Sequence, residues 1–146
     1  MVRLLAASCS TFSFGKNMSD MYKFYGDDSE MNAAMAEAQR RLPEFKCALD
    51  KDARQVIPSI EGSLVKARFE SLITHSVEHM WVEDAGFEGD QIVGTLSSQP
   101  NNIPELTIGE WVSVSPDDIS DWVYRQNENT YGGFTVRVMQ RRGLEP

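Results

Sequence analysis

The apolar residues of this chain change their spacing once, near Pro58, and that change limits the fold more than any other feature of the sequence. Before it, Met31, Ala34, Met35, Ala38 and Leu42 recur at the three- and four-residue steps of one helical face. Beyond it, Val65, Ala67 and Phe69 alternate with Lys66, Arg68 and Glu70, and Met80 and Val82 alternate with His79, Trp81 and Glu83. That is the two-residue period of half-buried strands. Helices first and strands afterwards predict an α+β domain: an N-terminal helix or helix pair packed on a curved antiparallel sheet of about five strands.

Local signals place the elements. Asp27 followed by Glu30 has the form of a capping box, and Glu37 stands four residues before Arg41. Pro43 lacks the N–H that the helical ladder needs, so a helix is predicted over about Asp28 to Leu42, with a second short turn carrying Phe45, Ala48 and Leu49 after it. Strands are predicted around Val65 to Phe69, Met80 to Val82 and Ile92 to Leu96. Gly109 to Val114 reads as a fourth, and Ile119 to Tyr124 as a fifth after the turn at Pro116, Asp117 and Asp118. Gly132 and Gly133 read as a turn. Residues 134–141 stay open between a strand, from the alternation of Phe134, Val136 and Val138, and a terminal helix capped by Thr135.

A chain of 146 residues with 41% apolar residues can bury a core without staples, and a single domain is expected over residues 18–146. Arg3 and the stretch Leu4 to Cys9 imitate a lipoprotein signal, but its apolar part is about five residues where an export signal has about 7–15. Residues 1–17 are therefore expected to be a poorly ordered extension of a cytoplasmic protein, with Met18 an alternative start. Cys9 and Cys47 lack metal-finger spacing, and Cys47, beside Phe45 and Leu49, reads as a small buried thiol. No run reaches the roughly 18 apolar residues of a membrane span.

The formal charge of −8, from 14 basic and 22 acidic residues, opposes nonspecific adsorption to nucleic acid or anionic lipid and favours either solubility or a basic protein partner, without choosing between the two. Arg137, Arg141 and Arg142 are expected to form local ion pairs.

One motif carries a catalytic alternative. His75 to His79 spells HxxEH, the zinc-binding pattern of inverted metalloproteases, in which His75 and His79 would bind metal and Glu78 would activate water. That chemistry needs a helix. In an extended chain the two imidazoles stand roughly 13 Å apart, at about 3.3 Å per residue, too far for one ion. No metal and no cofactor are therefore expected, and no GxSxG elbow, phosphate loop or dinucleotide-binding glycine pattern is present. Alternation instead puts His79 and Trp81 on the face opposite Met80 and Val82, and with Glu83 they form a candidate recognition surface. Asp121 is a candidate addition to that surface; its structural role would be to cap a turn or pair with Arg137 while Trp122 enters the core.

The same residues carry a resemblance. EHMWV at Glu78 to Val82, Gly94 to Leu96, Pro100 with Ile103, ISDW at Ile119 to Trp122 and GGFTVRV at Gly132 to Val138 resemble the pattern of the YegJ-like bacterial family, over about Tyr25 to Arg142. The resemblance implies a bacterial origin and a compact α+β domain, and it assigns no catalytic residue. The resulting expectation is a noncatalytic binding domain, in its most specific form an acidic immunity protein that neutralises a basic toxin. The alternative is a small metal-dependent hydrolase built on His75, Glu78 and His79.

Overall fold

Helix α1 (Ser29–Ala53) opens where Asp28 Oδ1 accepts a hydrogen bond from the Met31 amide at 3.0 Å, and it continues past the proline expected to end it. Asp27 lies outside residues 28–145, which the computed structural model describes, as does the extension expected at residues 1–17. The reason for the longer helix is visible in its apolar steps. Met31, Met35, Ala38, Leu42, Phe45 and Leu49 hold one face on both sides of Pro43, and Phe45 is fully buried. Burial of Phe45 contributes about 2–3 kcal/mol. With the packing of Leu49, this offsets the roughly 3 kcal/mol cost of an interior proline. Asp52 then closes the connection to the sheet by accepting from the amides of Ser59 and Ile60 at 2.7 and 3.2 Å.

Six strands follow: β1 (Ile60–Glu70), β2 (Val77–Glu88), β3 (Gln91–Leu96), β4 (Trp111–Val114), β5 (Ile119–Gln126) and β6 (Asn129–Gly132). They form one sheet in the order β4-β3-β2-β1-β5-β6, with every neighbouring pair antiparallel. The sheet has one strand more than expected. Strand β6 escaped because Asn129 to Tyr131 are exposed on an edge and bury no alternating face.

Register sets the two faces. Val65 on β1 stands opposite Val82 and Trp122, and Val82 stands opposite Leu96. All four are buried beneath α1. A bulge between Glu83 and Gly86, with Asp84 at φ 52°, turns Ala85 into the same core. Trp122 lies between Phe45 and Phe134, with ring centroids 5.4 and 5.2 Å away, and its indole N–H donates to the Ala38 carbonyl at 3.0 Å. Gln39 fastens α1 to the start of β5 by donating to the carbonyls of Pro116 and Ile119 at 2.7 and 2.8 Å.

Residues Phe134–Arg141 form a second helix, α2, which settles the open assignment. Thr135 is not its cap. The cap is Gly133 at φ 72°, which has no side chain to accept from the first amides, and Asp121 on β5 takes over that work. Its two carboxyl oxygens accept from the amides of Phe134 and Thr135 at 3.0 and 2.9 Å and from the Thr135 hydroxyl at 2.5 Å. Gly132, at φ 84°, lets the chain cross Trp122 closely: a Cβ there would lie 2.0 Å from the Trp122 carbonyl oxygen. The far end of α2 is tied to the start of α1, where Arg142 donates to Asp28 at 2.8 Å and Arg141 to Glu30 at 2.7 Å. These hydrogen bonds from Arg142 hold Asp28 down at about 2.

Candidate functional site

The face of the sheet turned away from α1 carries the residues that alternation assigned to it. Met80 and Val82 are buried, whereas His79 and Trp81 are half-buried and Glu83 is exposed. Across the register, Lys66 stands beside Trp81 and Leu64 beside both Glu83 and Val123. The Lys66 ammonium lies 5.4 Å from the centre of the Trp81 ring. Burial lowers the Lys66 pKa, and the charge of Asp121 works in the opposite direction.

Between this face and α2 runs a groove of about 790 Å³. Leu64, Trp81 and Val123 line its floor; Val136, Arg137 and Gln140 contribute its helical wall. Ser97 and Ser98 edge the groove and fix Trp81, whose amide donates to Ser98 Oγ at 2.9 Å and whose carbonyl accepts from Ser97 Oγ at 3.1 Å. A smaller hollow of about 340 Å³ continues along Leu64, Val123 and Thr130 to Glu61 and Arg125, which pair at 3.7 Å.

The HxxEH residues are dispersed by the extended backbone. His75 occupies an exposed turn at φ 61°. The Glu78 carboxyl accepts from the amides of Asn101 and Asn102 at 2.9 Å, anchoring the loop after β3. His79 lies on β2 with Nδ1 3.0 Å from Ser120 Oγ. Burial, helped by the charges of Lys66 and Arg68, pushes its ring down to about 4. Among the described residues no group of three or more His, Cys, Asp or Glu side chains is placed to hold a metal.

The Ser120–His79 contact is structural. Ser120 is fully buried, and its hydroxyl faces the Lys66 carbonyl at 3.3 Å, so a substrate carbonyl has no approach to it. The pair braces β2 against β5 across β1.

Asp121 requires a correction. It is fully buried and spent on the first amides of α2, so it does not belong to the exposed surface with His79, Trp81 and Glu83. Nor does it pair with Arg137, whose guanidinium donates to the Gly132 carbonyl and lies 5.1 Å from the centre of the Phe134 ring. Cys47 is half-buried rather than enclosed in the core. Sequence reasoning missed Leu64, Val123 and Val136, because their meeting depends on where α2 returns.

The fold and groove define a class: a helix-backed antiparallel sheet whose open face is walled by a short C-terminal helix. Residues 28–144 match the family described as "Uncharacterized protein conserved in bacteria (DUF2314)", and the chain belongs to that family. It is 30% identical over 138 residues to the uncharacterized protein YegJ of Escherichia coli (strain K12), an alignment covering 93% of this chain and 82% of that protein. It is 33% identical over 132 residues to a putative ankyrin repeat protein of Neisseria meningitidis serogroup B, covering 88% of this chain. The match spans about half (52%) of the Neisseria protein. No solved structure matches the chain.

Proposed function

We propose that this chain is a noncatalytic binding domain and that it binds through the open face of its sheet, around Trp81. The observation carrying this reading is the groove itself. Its volume lies in the range of about 300–1,000 Å³ usual for ligand sites. It combines an apolar floor with polar edges, and its central tryptophan, with its backbone bonded by two serines and its ring against the Lys66 ammonium, remains half-exposed. Aromatic side chains held in this way are frequent anchors of recognition.

The finer reading is a basic protein partner, with toxin neutralisation as its most specific form. The formal charge of −8 supports it, and Glu83, Asp84 and Glu88 are exposed on the β2–β3 hairpin. The Neisseria relative adds context, since its name places the similar region in an ankyrin repeat protein and stacked repeats present extended binding surfaces. Copurification from lysate with mass spectrometry tests the proposal. A stoichiometric partner retained by the natural chain and lost by Trp81→Ala is the expected result. Failure to recover any such partner under several growth conditions counts against it.

A further inference from the structure

Resting on the groove as the binding surface, we infer that its occupant is a small amphipathic organic carboxylate, its apolar body on Leu64, Trp81 and Val123 and its carboxylate on Arg137. Charge distribution is the first argument. The chain carries 22 acidic residues, yet among the described residues no carboxyl group lines the main groove. Arg40, Arg41, Arg68, Arg125, Arg141 and Arg142 each sit on a carboxylate. Arg137, which lines the groove, pairs with no carboxylate among the described residues.

Pre-organisation is the second. The Arg137 guanidinium is held by the Gly132 carbonyl on one side and the Phe134 ring on the other, so its remaining N–H donors are directed without a flexible search. Gln140, on the same wall, adds a donor beside Arg137. Lys66 lies on the same face with its ammonium over the Trp81 ring, and the buried Asp121 carboxylate opposes its charge.

Shape is the third. The main groove continues into the second hollow along Leu64 and Val123, giving an apolar track that leads away from Arg137. A ligand with an extended apolar chain and a single terminal anion matches that layout. A compact polyanion would leave the track empty, and a cation would meet Arg137.

The test uses the full chain and three probes of equal length: octanoate, octan-1-ol and octylammonium. Calorimetric titration gives affinities, and amide and indole chemical shifts locate the site. The inference expects saturable octanoate binding with shifts centred on the Trp81 indole and the Gly132 and Gly133 amides. The affinity should exceed that for either other probe by about tenfold or more, the contribution of a charge-assisted hydrogen bond. Arg137→Gln should remove that preference in a chain that still unfolds cooperatively, whereas Arg125→Gln, at the far end, should keep it. Equal binding of octanol at the same residues overturns the carboxylate assignment while leaving the groove as a binding surface. Octanoate shifts that avoid Trp81, or none at all, overturn the inference outright, and the partner assay with Trp81→Ala then judges the broader reading separately.

Discussion

The two faces of the sheet put the same alternation to different uses. Toward α1, Val65, Val82, Leu96 and Trp122 meet Leu42 and Phe45 in a closed apolar layer in which the indole N–H has a partner. On the other side, Leu64, Trp81 and Val123 come from the same strands but stay half-buried, and α2 stands beside them as a wall and leaves them open. The inner face spends its apolar area on stability, while the outer face leaves comparable residues half-exposed. An apolar surface that is positioned but not covered is what the proposed recognition role rests on.

Substitutions on the two faces should therefore separate stability from binding. Trp122→Ala should cost the most, about 3–5 kcal/mol, because it opens a cavity between Phe45 and Phe134 and strands the Ala38 contact. Chemical denaturation measures it, and a loss below about 1 kcal/mol would show that the inner layer repacks freely. Asp121→Ala comes next, at about 2–4 kcal/mol, since it leaves the buried first amides of α2 without an acceptor. Amide exchange should then rise throughout residues 134–141 while α1 stays protected.

The outer face should also respond to pH. His79 titrates at about 4 in the folded chain and near its ordinary 6.5 when unfolded. The unfolded state therefore binds more protons between those values, and stability is full above pH 6.5 and falls as pH drops toward 4. The loss is on the order of 3 kcal/mol by the free energy of a pKa unit. His79→Gln should flatten that slope in denaturation measured at successive pH values. A separate loss belongs to Asp28, below its ordinary 3.8 and down through about 2, as its hydrogen bonds with Arg142 are protonated away. The smallest stability effect, within about 1 kcal/mol, is expected for Trp81→Ala, because the indole is half-exposed and fills no closed layer.

Much of this contrast was legible before any coordinates. The period-two runs gave five of the strands and assigned His79 and Trp81 to the face opposite Met80 and Val82, because side-chain direction in a strand is fixed by parity alone. Pro43 misled, although the apolar steps through Phe45 and Leu49 were present: a local rule about proline lost to tertiary burial. Residues 134–141 were ambiguous because a helix of eight residues is too short for its period to outweigh the alternation of Phe134, Val136 and Val138. For Asp121 a capping role was legible, but the end it caps was not. Its partners lie 13 and 14 residues away at the start of α2, and no local pattern announces a cap supplied by another strand. The groove was invisible for the same reason, since its wall exists only once that cap fixes α2.

Trp81 and Trp111 offer the most direct test, because both are accessible indoles and only Trp81 lines the groove, Trp111 lying on the edge strand β4. Partner recovery should be compared for Trp81→Ala and Trp111→Ala at matched folded concentration. Loss confined to Trp81→Ala is the predicted result; undiminished recovery with Trp81→Ala, or equal loss with both, would contradict a recognition surface centred on that residue.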